Sequence, residues 1–310
     1  MNVKIARTPA PATGRECFAD NSVSDAILEA MNTPFLNVTV PVDGSETAQR
    51  GVAYAIALAR RGAVLHFCSV VDTAAAGLGG AIGSPFDPVP VIEASEDDAR
   101  RACREAVAKA EKSGVAADGK VIFGAIAPAI DRYAKDVRSD AVVIGTHARR
   151  GIARIIFGSV AESLLAISHI PIVVAHADDA VQAGGPITVA VDGSAPSRAA
   201  LALAIELARL WKVSLAIENV TGTDREDWRE AAAVLDDSAE AARAANVDFE
   251  LVTVAGRAAE TLVDGAERRH SSAIVVGTSA HSPIARFLLG NVAAVVLERA
   301  RIPVIAVPQR

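Results

Sequence analysis

Aromatic residues are scarce in this sequence: they make up only 4% of its 310 residues, although 51% of the residues are hydrophobic. Alanine and valine therefore carry much of the apolar content. Such small side chains suit helices that pack closely on both faces of parallel sheets. Because the chain is also long for one domain and comfortable for two, we expect an α/β protein with full hydrophobic cores.

Cysteine is also rare, and the three cysteines, Cys17, Cys68 and Cys103, form no CxxC pair. This pattern predicts reduced thiols in a cytosolic protein rather than a disulfide framework, with a packing role for Cys68 in its apolar run. No apolar run approaches the length of a transmembrane helix, and residues 1–33 lack the apolar segment of a signal peptide. We therefore expect a cytoplasmic protein with no membrane partner.

An excess of positive charge is missing as well. The formal net charge is −6 and the sequence pI is about 5.6. A nucleic-acid binder that works through a general basic surface needs the opposite balance. We therefore expect no nucleic-acid partner.

Catalytic and metal-binding motifs are absent too. The chain has no GxxxxGK[ST] phosphate loop, no GxSxG turn and no GxGxxG after its first predicted domain strand. Its histidines, including His66, His169, His176 and His270, show no metal-ligand spacing. We therefore expect a binding protein without a resident metal or an assembled catalytic set, and not an enzyme.

From Phe35 onward, apolar strand-like runs alternate with amphipathic helical segments. This rhythm predicts a parallel, doubly wound sheet. Ser45 is expected to cap the first helix. Residues 73–90 are rich in Gly, Ala and Pro and are expected to form a mobile loop. The predicted strands are 36–42, 63–71, 120–123, 141–144 and 170–174, and the predicted helices are 46–60, 95–113, 127–138 and 159–168.

The elements then repeat. Val40–Ser45 (VPVDGS) returns as Val189–Ser194 (VAVDGS), Val143–Thr146 as Val275–Thr278, and Ile170–Val174 as Ile302–Ala306. The first match is offset by 149 residues and the other two by 132, so the second repeat is 17 residues shorter. We predict two homologous domains, 34–176 and 186–310, with a linker at 177–185.

Residues 1–33 precede the first repeat and contain proline, glycine and scattered polar residues. We interpret them as a flexible extension, with a short helical segment near residues 24–31. An arm that docks a partner is the alternative.

A glycine-containing loop follows the fourth strand of each repeat. In the first repeat it runs from Gly145 to Gly158-Ser159, and in the second from Gly277 to Gly290-Asn291. A strand, a glycine turn and a helix start together present backbone N–H groups to an anion, and a serine there adds a hydroxyl donor.

These motifs resemble the universal stress protein family, twice over, at residues 35–175 and 186–308. The resemblance implies two tandem Rossmann-like domains, each a five-stranded parallel sheet of order 3-2-1-4-5. Because family members pair through the last strand, it implies an intramolecular pseudo-dimer through Ile170–Val174 and Ile302–Val307, and a homodimer is a further expectation. It also implies a stress-response protein that binds ATP, with or without Mg²⁺, rather than an enzyme.

Nucleotide-binding members of the family carry Gly, two residues, Gly, nine residues, and Gly followed by Ser or Thr. Both repeats depart from this pattern, at Ala148 in the first and at Ala280 and Asn291 in the second. Binding is therefore expected mainly in the first repeat. There the resemblance assigns contacts to Pro41, Val42, Asp43, Val70, Ile144, Gly145, His147, Ala148, Gly158, Ser159 and Val160. In the second it assigns them to Ala190, Val191, Asp192, Val220, Gly277, Gly290, Asn291 and Val292.

Other interpretations stay open at this point. Asp43 and Asp192 could cap the helices that follow them, and His147 could be an exposed residue without a ligand contact. Arg149, Arg150 and Arg154 could neutralise phosphates or form a solvated face. The alanines and Asn291 favour a nucleotide-free interaction scaffold, whereas an enzyme that transfers a phosphoryl or adenylyl group is opposed by the absence of a general base.

Overall fold

A computed structural model describes residues 4–7, 35–59, 62–73, 89–146, 159–176, 184–278 and 291–309. The described residues form two compact units, one of residues 35–176 and 278–309 and the other of residues 4–7 and 184–277. The strands are β1 (Lys4–Arg7), β2 (Asn37–Pro41), β3 (Val64–Val71), β4 (Ala117–Phe123), β5 (Ala141–Gly145), β6 (Ile172–Ala175), β7 (Ile187–Ala190), β8 (Leu215–Thr221), β9 (Phe249–Ala255), β10 (Ala273–Thr278) and β11 (Val304–Pro308). The helices are α1 (Glu46–Ala59), α2 (Val89–Lys112), α3 (Ile126–Asp136), α4 (Ser159–Ile167), α5 (Ala195–Trp211), α6 (Arg225–Ala244), α7 (Ala258–Arg268) and α8 (Asn291–Arg299).

The sheet that contains the first repeat has the order β4-β3-β2-β5-β6, and these strands are parallel. This is the predicted order 3-2-1-4-5. Strands β5 and β6 consist of apolar residues, such as Ala141–Ile144, and they are buried. Helices cover the sheet, since α1 packs on β5, and α2 and α3 pack on β3. The predicted α/β class is therefore confirmed.

Strand β11, from the end of the chain, lies antiparallel beside β6 in the same unit. Val304 lies opposite Val174, and Ala306 opposite Ile172. The predicted pairing of these two segments is therefore confirmed.

The other unit has the order β1-β9-β8-β7-β10. Strands β9, β8, β7 and β10 are parallel and correspond to strands 3, 2, 1 and 4 of the second repeat. Strand β1 is antiparallel to β9, with Lys4 opposite Thr253 and Arg7 opposite Glu250. Residues 1–33 were predicted to be a flexible extension without a strand. Strand β1 is therefore an addition to the expected fold.

Two other boundaries differ from those expected. Helix α2 begins at Val89, six residues before the predicted start. Pro90 is tolerated there because the first turn of a helix leaves its backbone N–H groups without helical partners, so the N–H that proline lacks is not missed. Strand β4 begins at Ala117 rather than Lys120, because a polar edge segment can still pair through its backbone. Most of the predicted loop at 73–90 (residues 74–88), most of the predicted linker at 177–185 (residues 177–183) and the helical segment near 24–31 lie outside the described residues, whereas Val89 and Pro90 belong to α2 and not to a loop.

The predicted Ser45 cap is present, because the Ser45 hydroxyl accepts a hydrogen bond from Ala48 N at 3.1 Å. None of the helices in the described parts of the chain combines the length and the apolarity that a membrane crossing requires.

Candidate functional site

The first repeat has its topological switch point between β2 and β5. These strands are parallel neighbours, with Val38 opposite Ala141. The chain leaves β2 toward β3 on one side, whereas β5 pairs with β6 on the other. Open α/β sheets bind ligands in the crevice outside the carboxyl ends of two such strands. The structure therefore brings the predicted residues Pro41 and Gly145 to the edge of one crevice.

Asp43 forms a tight turn just after β2. Its carboxylate oxygen Oδ1 accepts a hydrogen bond from Ser45 N at 2.9 Å, and Gly44 between them has a φ of 79°. The positive φ explains the glycine. Asp43 therefore fixes the turn that leads into α1, whereas Ser45 supplies the helix cap, and the exposed side chain of Asp43 remains accessible from solvent.

Gly145 is required by packing against α1. A Cβ atom built on Gly145 would lie 2.0 Å from the carbonyl oxygen of Thr47 and 3.0 Å from Gly51 N. Only glycine permits this approach between the end of β5 and the first turns of α1. The first glycine of the motif is thus explained by the fold before any ligand is considered.

Arg50 connects α1 to the residue that follows β5. Its Nη1 donates to the carbonyl oxygen of Thr146 at 3.2 Å, and its Nη2 lies 2.7 Å from the Glu46 carboxylate. The position 149 residues later in the second repeat is Ala199. The sequence analysis did not identify Arg50 as a site residue. The difference between Arg50 and Ala199 at matching positions of the two repeats was a signal that could have identified it. Arg50 places a cation beside the crevice in the first repeat.

His176 is buried beneath the same loop start. It is 3% exposed, and its Nδ1 lies 3.3 Å from the hydroxyl of Thr146, which also donates to Ala175 O at 3.4 Å. Burial lowers the pKa of His176 to about 4 because the imidazolium would lose its hydration. The histidine is therefore neutral at physiological pH, in contact with the residue that begins the loop.

The acid stability of the protein should depend on His176. Because its folded pKa is below the unfolded value, stability is complete above about pH 6.5 and falls as the pH drops toward 4, by at most ~1.4 kcal/mol per pH unit. The His176→Gln variant should show a shallower fall. Denaturant unfolding between pH 4 and 7 measures this, and an acid slope equal to that of the wild type would contradict it.

The remaining predicted residues of the first repeat divide into two groups. Val42 and Ile144 are buried, and Val70 is half-buried in β3. Ser159 begins α4 and is exposed, and the half-buried Val160 follows it. The rest of the predicted loop, His147, Ala148, Arg149, Arg150, Arg154 and Gly158, lies outside the described residues.

The second repeat reproduces the turn after its first strand. The Asp192 carboxylate accepts from Ser194 N at 2.9 Å. Burial alone would raise the pKa of Asp192, but hydrogen bonds from Ser194 and Ser197 together lower it below the ordinary value. A Cβ on Gly277 would lie 2.4 Å from the backbone carbonyl of Pro196. The helix-to-strand contact seen at Gly145 is therefore repeated.

The other predicted residues of the second repeat lie in both units. Ala190, at the end of β7, and Val220, in β8, are half-buried, whereas Val191 is buried. Asn291 and the exposed Val292 begin α8, in the unit of residues 35–176 and 278–309. Ala280 and Gly290 lie outside the described residues.

A buried ion pair in the second repeat was missed by the sequence analysis. Glu218 in β8 is 1% exposed, and its carboxylate is hydrogen-bonded to Arg269. Burial raises the pKa of Glu218, although Arg269 opposes that rise. The register places Glu218 opposite Ala190, and in the first repeat it places Cys68 opposite Pro41. A single charged residue within the strand segment Leu215–Thr221 was the available signal.

The two cysteines in the described ranges, Cys68 and Cys103, are both free and buried. Burial raises the pKa of the Cys68 thiol and raises that of Cys103 to about 11. Both thiols are therefore protonated and unreactive at physiological pH. Within the described segments, no group of His, Cys, Asp and Glu side chains could hold a metal ion.

Comparison with known proteins agrees with the duplicated architecture. The model of the "Universal stress protein family" matches residues 34–176 and 185–308. A universal stress protein of Mycobacterium tuberculosis is 29% identical over 298 residues, which cover 88% of this chain and 97% of the relative. One from Methanocaldococcus jannaschii is 26% identical over 160 residues, covering 49% and 88%.

Solved structures show the same fold. The crystal structure of a universal stress protein from Archaeoglobus fulgidus superposes with a TM-score of 0.75, covers 88% of this chain and 98% of its own, and is 19% identical. Because the family model matches most of the chain, in two successive segments that coincide with the internal repeat, this protein belongs to the universal stress protein family as a tandem member.

Proposed function

We propose that the protein binds an adenine nucleotide, ATP with or without Mg²⁺, mainly in the first repeat, and that occupancy alters its shape or partners in a stress response. The observation that carries this proposal is the switch point, where the β2 and β5 ends are neighbours and an exposed Asp43 follows β2. A carboxylate in such a position can accept hydrogen bonds from ribose hydroxyls.

The start of α4 and Arg50 support the same assignment. Ser159 is exposed at the first position of α4, where helix N–H groups and the serine hydroxyl can donate to a phosphate. Arg50 adds a positive charge beside the loop start, which offsets the carboxylates of Asp43 and Glu46. The second repeat has Ala199 and Asn291 at the corresponding positions. These differences favour the first repeat.

Calorimetry with ATP and Mg²⁺ tests the proposal. The wild type should bind one nucleotide per chain. Ser159→Ala removes one donor to a charged group and Asp43→Asn removes the charge but keeps the turn acceptor, so each should weaken affinity roughly tenfold. Asp192→Asn, the matched control in the second repeat, should leave affinity unchanged.

Three results would contradict binding of ATP, without rapid hydrolysis, mainly in the first repeat. An equal loss in Asp192→Asn would contradict binding mainly in the first repeat. We expect any hydrolysis to be slow and incidental. Fast release of ADP would instead favour an enzyme that transfers a phosphoryl group. No heat of binding with the wild type would favour a nucleotide-free interaction scaffold.

A nucleotide-free interaction scaffold is the second candidate. The packing of Gly145 on Thr47 favours it, because that glycine is needed for the fold whether or not a phosphate binds. Ala148 and Asn291, which depart from the family's binding pattern, favour it too. In both candidates we propose a cytoplasmic protein whose repeats form a pseudo-dimer, which the antiparallel pairing of β6 and β11 supports.

A further inference from the structure

The outer edge strands of the two repeats differ in whether another strand pairs with them. In the second repeat, the edge strand β9 is covered by β1. The corresponding strand of the first repeat, β4, pairs only with β3 among the described residues. An uncovered edge presents backbone donors and acceptors to any extended chain. We propose that a second copy of this protein docks here, so that two β4 strands pair antiparallel about a two-fold axis centred on Gly119.

The backbone of β4 has the right groups facing outward. Leu65 N donates to Ala116 O at 3.0 Å, and Gly124 N donates to Val71 O at 3.2 Å. Because alternate residues of a strand bond to the same neighbour, the amides of Gly119 and Val121 point away from β3. The corresponding residues of β9 lie opposite β1, with Thr253 opposite Lys4. The duplicated fold thus shows that an antiparallel strand fits this kind of edge.

The charges on β4 are self-complementary in that register. Pairing centred on Gly119 places Asp118 of each copy opposite Lys120 of the other, and both residues are exposed. Asp118 already lies 2.9 Å from His66 Nδ1, whereas Lys120 has no carboxylate within 4.0 Å among the described residues. Opposite charges directly across an antiparallel pair stabilise it, and like charges destabilise it. A shift of register would place Lys120 against itself.

A groove beside β4 adds surface to the same edge. It measures about 610 Å³ and lies between α2 and β4, lined by Arg104 and Glu111 on the helix and by Val121 and Phe123 on the strand. Neither Arg104 nor Glu111 has an ion-pair partner in the described part of the chain. Phe123, 45% exposed, supplies apolar surface at the same edge.

A charge exchange between two variants of the full chain tests the proposal by sedimentation velocity. The wild type should dimerise with increasing concentration. In the Lys120→Asp variant, positions 118 and 120 are both acidic, and in the Asp118→Lys variant both are basic. Like charges then face each other across the dimer, so each variant alone should dimerise roughly tenfold more weakly. An equimolar mixture of the two variants should recover wild-type association as a heterodimer. A mixture that stays monomeric would overturn the proposal.

A proline at the edge gives a second, independent test. Val121→Pro removes an outward N–H and should abolish dimerisation while circular dichroism stays native, because an edge strand tolerates proline where its N–H faces away from the sheet. Val121→Ala, which keeps the outward N–H, is the control and should leave the dimer intact. A wild type that stays monomeric at its solubility limit, or a dimer that persists in Val121→Pro, would show that this edge does not bind a second copy.

Discussion

The Arg269→Met variant is expected to lose about 3–5 kcal/mol of unfolding free energy in the unit of residues 184–277. Glu218 is 1% exposed, and Arg269 provides its hydrogen-bonded counter-charge. Gly265 leaves room for that carboxylate, since a Cβ there would lie 3.0 Å from Glu218 Oε2. Removing the guanidinium leaves a desolvated carboxylate whose remaining cationic neighbour, Arg268, is exposed to solvent.

The loss should depend on pH with a defined sign. Burial raises the folded pKa of Glu218 above its unfolded value, and removing Arg269 raises it further. A carboxyl group with a raised folded pKa binds its proton more tightly in the folded state. Stability is therefore retained at low pH and lost as the pH rises through the folded pKa. The deficit of Arg269→Met should be smaller near pH 5 than near pH 8.

The chain provides its own reporter and controls for this experiment. Both tryptophans, Trp211 and Trp228, lie in this unit, so fluorescence during denaturant unfolding follows it selectively. Arg229→Met, at an exposed position of α6 in the same unit, should change stability by less than about 0.5 kcal/mol. The double variant Glu218→Met/Arg269→Met should recover most of the loss, because it removes the buried carboxylate together with its counter-charge. Glu250, which lies 3.6 Å from Arg269 Nε, is only half-buried and keeps access to solvent. A double variant as unstable as Arg269→Met would contradict this account.

The repeated elements of the fold were predictable from the sequence because their signals are local. Buried parallel strands such as Ala141–Gly145 are continuous apolar runs, and the Ser45 cap marks the start of α1. Strand β1 was not predictable, because four residues, Lys4–Arg7, carry no periodicity and their pairing with β9 depends on the folded edge. The start of α2 was placed too late because Pro90 indicates a loop unless it occupies a first helical turn.

The candidate site was predictable in position but not in physical cause. The motif identified Asp43, yet only the structure shows that its carboxylate also holds the turn to Ser45. Arg50 carries no motif, and its relevance comes from the contact with Thr146 across 96 residues. Glu218 is the only charged residue of β8, but its partner Arg269 is 51 residues away. Long-range pairs of this kind have no local sequence signature.

Gly145→Ala is expected to destabilise the unit of residues 35–176 and 278–309 by about 1–3 kcal/mol, with or without nucleotide. The added methyl would lie 2.0 Å from the Thr47 carbonyl oxygen, a backbone atom that no side-chain truncation can remove. The first turn of α1 must therefore shift, and the Asp43 turn that precedes it shifts too. Gly277→Ala should cost the other unit a similar amount, because its methyl would lie 2.4 Å from the Pro196 carbonyl.

Measuring stability and ATP affinity on the same variants separates packing from ligand recognition. Hydrogen exchange without nucleotide should show faster opening of α1 in Gly145→Ala and of α5 in Gly277→Ala, and ATP affinity should fall only in the first. Ala148→Gly restores the second glycine of the family pattern and is the comparison for an effect on binding alone. A Gly145→Ala protein with wild-type protection but weaker ATP binding would mean that this glycine serves the phosphate directly. If protection and affinity fall together, the lower affinity of Gly145→Ala reports the displaced helix, and nucleotide recognition is then measured by the Ser159 and Asp43 variants.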